Sequence, residues 1–384
     1  MFSRRTAVPQ APNALARALA ARTRPMAVDL TLANPTWAEL PYEREGFGEP
    51  WSQGARRVYE PEPRGLRAAR EAIAEDARAA GLPCDPDRLF LTSGTSEAFG
   101  WLFQLLCDPG DEVLVPRPGY PLLEHLAMFE GVVPVPYPVA WDGRWHLDLE
   151  ALRRARTART RAVVVVHPNN PTGSLTTRDE HAVLAALGLP IVSDEVFARY
   201  PLSPFPDARR TLLCPDAPLT FALGGLSKAA AEPGLKCGWI ALDGERRAVE
   251  EACQRLELLA DTRLSVSTPL QHALGAVLRS ARRPREAIQA RLLRNAGAIA
   301  AALGPASPVE PLRAEGGWSA ILRLPAEHDS EGWALRLLDL ADVLVHPGSL
   351  FDLPFPTAVV SLLVPEAAFR EGLERLGRLV RGGA

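Results

Sequence analysis

The sequence predicts an α/β fold: a large domain with a mostly parallel, seven-stranded-type sheet between helices, and a smaller α+β domain from the C-terminal part and the N-terminal segment. Three observations predict it. From residue 66 to about 242, short runs apolar on both faces alternate with segments of helical spacing, as strands covered on both sides of a parallel sheet do. Helical patterns then dominate from about 245 to 303. After residue 311 the order becomes strand, helix, strand, strand, helix. At 384 residues the chain has room for two domains,.

The elements follow in order. The start, to about residue 14, is rich in Pro and Ala and reads as a mobile arm,. Residues 66–80 have helical spacing and good helix formers, and Gly81 stops them,. A short strand at 89–92 runs into Ser93, Gly94, Thr95, Ser96 and Glu97, which open a helix to about 106. Strands at 112–115 and 132–136 flank a helix at 121–129, and 147–155 is helical. Strand 162–167 precedes a helix at 177–187, and strands 189–193, 219–223 and 237–242 complete the apolar set. Beyond the helical region lie strand 318–324, helix 331–340, strands 343–346 and 358–363, and helix 366–380. The expected division is 1–45 for the arm and part of the small domain, 46–285 for the large domain, and 286–384 for the rest of the small domain.

Composition narrows the function classes. Hydrophobic residues make up 47% and charged residues 23%, with a net charge of −3, so nothing electrostatic points to nucleic acid or an anionic membrane. The first five residues lack a signal peptide's apolar core, and no run reaches the length of a membrane span,. The five cysteines are odd in number and lack paired metal spacing, so free thiols in a reducing cytoplasm, and no bound metal, are expected.

The polar residues that interrupt this pattern cluster at strand ends. Lys228 closes Gly224, Gly225, Leu226, Ser227, Lys228, just after strand 219–223. Asp194 and Glu195 close strand 189–193, and Pro168, Asn169, Asn170, Pro171, Thr172 and Gly173 follow strand 162–167. Ligands of parallel sheets gather at C-terminal strand ends, and a lysine beside a buried strand is costly unless neutral or covalently used. Each residue has a plain reading too: an N-cap for Gly94, Thr95 and Ser96, a helix cap for Asp194, a turn for Asn170, an exposed loop for Lys228.

This order and spacing resemble the class I/II aminotransferases of pyridoxal-phosphate fold type I, the aspartate aminotransferase-like enzymes, from about residue 31 to the C-terminus. The resemblance implies pyridoxal 5'-phosphate as cofactor, held as a Schiff base by Lys228, which then serves as base and acid at the substrate α-carbon. It implies Asp194 at the pyridine nitrogen, Asn170 at the ring hydroxyl, Tyr120 stacked on the ring, and Gly94, Thr95, Ser96 and Ser227 near the phosphate. Tyr59 corresponds to a tyrosine that reaches the phosphate of the partner subunit, which makes a homodimer the expected assembly. Asn34 falls where the N-terminal segment crosses the substrate. The implied reaction exchanges an amino group between an amino acid or related amine and a 2-oxo acid.

Four positions depart from the family pattern. Phe197 stands where a tyrosine usually donates to the ring hydroxyl, and Gly225 where a phosphate-binding serine is common. Lys236 replaces an arginine, keeping the charge and losing the two-pronged fork,. Val359 occupies the place of the arginine that grips the substrate carboxylate, an interaction of about 1.5–3 kcal/mol per charged hydrogen bond. Arg263 and Arg323 are the candidate replacements, each alternatively a solvated surface arginine. The loss at Val359 keeps a second reading open, namely a lyase, decarboxylase, racemase or cyclising synthase on the same fold. A third is a non-catalytic sensor or interaction module. Trp37, Trp318 and the segment 346–351 could line a pocket or simply fill core.

Overall fold

The computed structural model describes residues 2–6, 11–42, 48–56, 58–264, 266–303 and 307–382. Along the chain these form α1 (Ala14–Ala21), β1 (Val28–Asp29), α2 (Gly48–Ala55), α3 (Arg67–Ala79), β2 (Leu89–Thr92), α4 (Thr95–Leu106), β3 (Glu112–Arg117) and α5 (Leu122–Phe129). There follow β4 (Val133–Trp141), β5 (Trp145–Leu147), α6 (Leu149–Ala155), β6 (Thr160–Val166), α7 (Arg178–Ala186), β7 (Ile191–Asp194), β8 (Thr220–Gly225), α8 (Leu226–Ala229) and β9 (Gly238–Asp243). The C-terminal part comprises α9 (Arg246–Arg263), α10 (Thr268–Ser280), α11 (Arg282–Leu303), β10 (Glu310–Pro311), β11 (Ser319–Arg323), α12 (Ser330–Leu340), β12 (Val343–Leu344), β13 (His346–Pro347), β14 (Thr357–Ser361) and α13 (Glu366–Val380).

The large sheet runs β2-β9-β8-β7-β6-β3-β4-β5. Neighbours from β8 through β4 pair in parallel; β9 is antiparallel to both β2 and β8, and β5 is antiparallel to β4. Strand alternation splits the core into layers. Val113, Val115, Ala162 and Val164 pack with Phe99, Phe103 and Leu256 on one face. Leu114, Val163 and Val165 pack with Tyr137, Leu184 and Trp145 on the other. Both faces are therefore dry, which is why these strands read as unbroken apolar runs.

A second core joins Leu15, Val28 and Leu30 to Ile288, Leu292, Leu322, Val360, Phe369 and Leu373 around the four-stranded sheet β10-β11-β14-β13. The N-terminal segment enters this core closely: Ser361 N donates to Leu30 O at 2.7 Å, and a Cβ on Gly372 would lie 2.8 Å from Leu30. The α/β architecture with a smaller α+β part matches expectation.

Several details differ. The sheet has eight strands among the described residues, because Trp145–Leu147 turns back on β4 after Gly143. Trp145 and Leu147 are buried with His146 between them, a period of two, so Leu147 ends a strand and Asp148 caps the following helix by accepting from Ala151 N at 2.9 Å. The strand expected at 343–346 is two short ones, since β12 pairs with β1 and β13 with β14. Helices α1 and α2 were not anticipated; Asn13 caps the former through Ala16 N at 2.8 Å. Of the expected mobile arm, Met1 and residues 7–10 lie outside the described residues, and Arg5 Nη1 donates to Phe129 O at 2.8 Å. Among the described residues no helix is long and apolar enough to cross a membrane, and no cluster of His, Cys, Asp and Glu could hold a metal ion.

Candidate active site

One cavity of about 350 Å3 opens beside the C-terminal ends of β2, β3, β6, β7 and β8, between the large sheet and the strands β11 and β14. Thr95, Tyr120, Asn170, Asp194, Ser227 and Lys228 line it together. From the other side come Trp318, Ser319, His346, Phe351, Val359 and Ser361, and from the N-terminal segment Thr31 and Ala33.

Lys228 sits on the single turn α8 directly after β8. Its carbonyl accepts from the buried Tyr200 hydroxyl at 2.6 Å, which fixes the turn. Its Nζ lies 4.7 Å from the Trp318 ring centre and 5.4 Å from that of Phe197. The two rings meet edge to face at 5.5 Å. Among the described residues, no acceptor lies within hydrogen-bonding distance of Nζ. Burial pushes the amine down to about 8, with Asp194 pulling the other way. At pH 7 roughly a tenth of such amines are uncharged, against fewer than about one in a thousand for an ordinary lysine. That is the condition of a nucleophilic lysine.

Asp194 ends β7, and burial pushes its carboxyl up to about 6; the Val196 N–H at 3.2 Å and Lys228 both hold it down. Glu195 points to the opposite face, as strand alternation requires. There it accepts from Ser193 Oγ at 2.9 Å and Leu212 N at 2.8 Å, away from the cavity. Of the two adjacent acids, Asp194 alone reaches Lys228's cavity.

Asn170 rides on a loop braced from within. Gly173 N donates to Asn169 O at 2.8 Å, Asn169 N to Ser174 O at 2.9 Å, and Thr172 Oγ1 to Asn169 Oδ1 at 2.8 Å. Thr176 N donates to His167 Nδ1 at 3.1 Å, so the ring proton is on Nε2 and goes to Arg209 O at 2.9 Å. Across the cavity, Ser319 Oγ lies 3.4 Å from Asn170 Oδ1. At the start of α4, Gly94 is the N-cap with no side-chain cap. The first N–H groups of the helix, at Thr95 and Ser96, therefore remain free for an anion.

The other residues singled out from sequence lie outside this cavity in the single chain. Asn34 is exposed, its Oδ1 taken by Thr36 N at 3.1 Å and Thr36 Oγ1 at 2.9 Å. Tyr59 is 57% exposed, and Lys236 is exposed with positive φ in the turn after β8. Arg263, at the end of α9, donates to Gln104 Oε1 at 3.0 Å. Arg323 is engaged elsewhere, with Glu310 at 2.9 Å and its guanidinium 4.1 Å from the Phe355 ring centre. Among the described residues, no arginine lines the cavity. Val359 is buried in β14 opposite Ile321 and His346, and burial holds the His346 imidazole below its ordinary pKa. Gly225 also has a steric reason: an added Cβ would lie 3.2 Å from Cys237 O.

Sequence reasoning missed Thr31, Ala33, Val196, Ser319 and Val360 as lining residues. The N-terminal segment and β11 carry no motif; only the tertiary fold brings them over the sheet.

A parallel sheet with a buried lysine, an acid and an asparagine at adjacent strand ends suits group transfer on small carbonyl or amine substrates. Residues 52–376 match the aminotransferase class I and II family, and the chain belongs to it. This family uses pyridoxal phosphate, and the chain is an aminotransferase. It is 30% identical over 329 residues to an alanine aminotransferase of Mycobacterium tuberculosis, covering 82% of this chain and 76% of that one. It is 28% identical to the glutamate-pyruvate aminotransferase AlaA of Escherichia coli, over 83% and 82% of the two chains. A solved structure of a Thermus thermophilus aspartate aminotransferase mutant superposes with a TM-score of 0.83 over 99% of both chains, at 29% identity.

Proposed function

We propose that this chain is a pyridoxal-phosphate aminotransferase that exchanges an amino group between a small amino acid, of the alanine and glutamate class, and a 2-oxo acid. The buried Lys228 amine, lining the cavity with no hydrogen-bond acceptor in reach among the described residues, carries the reading. The residues fit the cofactor: an amine for its aldehyde carbon, a carboxylate for its ring nitrogen, an amide for its ring oxygen, and free helix N–H groups for its phosphate. When bound, the cofactor supplies an electron sink that makes the substrate α-proton labile.

With the cofactor bound, Lys228 would hold its aldehyde carbon and would carry the proton at the substrate α-carbon. Asp194 holds the ring nitrogen, in a position where burial makes its charge effective. Asn170 steadies the ring oxygen and Tyr120 the ring. Gly94, Thr95, Ser96 and Ser227 take the phosphate, with Lys236 supplying charge nearby. The apolar wall of Val359, Val360, Phe197 and Trp318 suits a small side chain. Tyr59 and Arg263 are available to a second copy of the chain across a homodimer interface. Exposed Trp37, Val58, Leu258 and Leu264 favour such an interface,. The expected setting is cytoplasmic.

Amino-group transfer is tested directly by following 15N from alanine or glutamate to an unlabelled 2-oxo acid. Transfer by the native protein, and its loss in Lys228→Ala, is the expected result; turnover retained in the variant would end the proposal. The arginine-free cavity favours a second reading, in which lyase, decarboxylase, racemase or cyclase chemistry replaces transamination. Release of ammonia or carbon dioxide without 15N transfer would favour that reading.

A further inference from the structure

Behind the active-site loop lies a separate cavity of about 450 Å3 that the reaction does not use. Arg199, Arg209, Arg210 and Arg285 all line it. Asp76 pairs with two of them, at 2.6 Å to Arg199 and 2.9 Å to Arg285. Arg209 and Arg210 bond only backbone carbonyls, those of Thr211, Leu213 and Ala80. Among the described residues neither has a carboxylate within salt-bridge distance. His167, the remaining ionisable group on the loop side, is neutral, since burial pushes it down to about 4.

Four guanidinium groups against one carboxylate leave three positive charges around a partly enclosed space. Burial lowers the Arg199 pKa most; Asp76 opposes it, and repulsion from Arg285 adds to the lowering. Such a set is stabilised by an oxyanion, which guanidinium groups bind two-pronged. The remaining wall is apolar, with Phe205, Tyr200 and Leu82, and the hydroxyl of Ser203 lies on it without a hydrogen-bond partner.

We propose that this cavity binds a small organic dianion, with phosphate or carboxylate oxygens on Arg209 and Arg210 and an apolar body against Phe205. The site adjoins the reaction centre through Tyr200, a lining residue of this cavity whose hydroxyl donates to Lys228 O at 2.6 Å and whose ring meets Trp318 at 5.2 Å. Occupancy therefore modulates turnover as well as binding.

Calorimetric titration of the cofactor-loaded protein with inorganic phosphate, glycerol 3-phosphate and glutarate tests the proposal and separates phosphate from carboxylate ligands. At least one probe is expected to bind saturably, with affinity falling about tenfold or more in Arg209→Gln/Arg210→Gln as charged hydrogen bonds are lost, while turnover without the anion is unchanged. Ser203→Glu, which places a carboxylate among the arginines, is expected to abolish binding and raise the melting temperature. Absence of saturable binding by all three probes, or binding unchanged in both variants, would overturn the proposal.

Discussion

Glu315→Ala is expected to damage both stability and the site. Glu315 is 1% exposed in the segment between β10 and β11. Its Oε1 accepts from Arg144 Nε at 2.8 Å and its Oε2 from Leu175 N at 2.9 Å. Its own N–H and that of Gly316 both donate to Gly173 O, at 3.0 and 2.9 Å, and Leu202 N donates to Glu315 O at 2.8 Å. One acid thus ties the β4–β5 turn and the Asn170 loop to the segment that carries Trp318. Removing one partner of a buried ion pair costs about 3–5 kcal/mol. Arg144 retains Glu180 at 3.6 Å and is partly exposed, so the lower end, about 3 kcal/mol, applies. Glu315→Gln keeps an acceptor for Leu175 N and should lose roughly half as much. Urea unfolding followed by tryptophan fluorescence measures these losses, and a double-mutant cycle with Arg144→Ala isolates the pair. A loss under about 1 kcal/mol, in the range of an exposed pair, would refute the clasp. Weaker cofactor affinity in Glu315→Ala is expected too, because Asn170 lies on the loop it holds.

Two pH dependences follow from the buried groups. His167 is neutral in the fold, with its pKa pushed down to about 4, against about 6.5 in the unfolded chain. The unfolded state therefore binds the extra proton between these values, and stability falls as pH drops through that window, by about 3 kcal/mol in total. The difference in unfolding free energy between wild type and His167→Gln should shrink by that amount from pH 7 to 4; a pH-independent difference would contradict it. Lys228 is held at about 8, so capture of pyridoxal phosphate by the cofactor-free protein should accelerate as pH rises through 8. A midpoint near the ordinary lysine value of about 10.4 would show that the amine is not desolvated.

What was legible in the sequence is what periodicity and strand ends carry. Val113–Val115 and Ala162–Val166 are apolar on both faces because both faces are covered. Lys228, Asp194 and Asn170 stood out because polar residues interrupted those runs at their ends. The hairpin strand Trp145–Leu147 was illegible because three residues cannot establish a period against an adjacent helix. Glu315 was invisible for a different reason. Its partners Arg144, Leu175 and Gly173 are distant in sequence, and an acid in a Gly-containing loop reads as solvated until the fold buries it.

The departures from the family pattern converge on one physical effect at Lys228. Phe197 replaces a hydroxyl donor, Val359 replaces a cation, and Trp318 closes the remaining side, so the amine faces two aromatic rings and a valine-lined wall. An arginine at Val359 would lower the lysine pKa by charge repulsion while also gripping a carboxylate. Without it, desolvation alone lowers that pKa, and it outweighs the opposing attraction of Asp194. Desolvation acts only while water is excluded, which gives the aromatic pair a catalytic consequence beyond shape. Opening the cavity by truncating Trp318 would readmit water and raise the lysine toward its ordinary value. The same change would leave Asp194 and Asn170 on their own strand ends, held by the large sheet. Burial among apolar groups therefore brings the Lys228 amine down to about 8 without the help of a neighbouring cation.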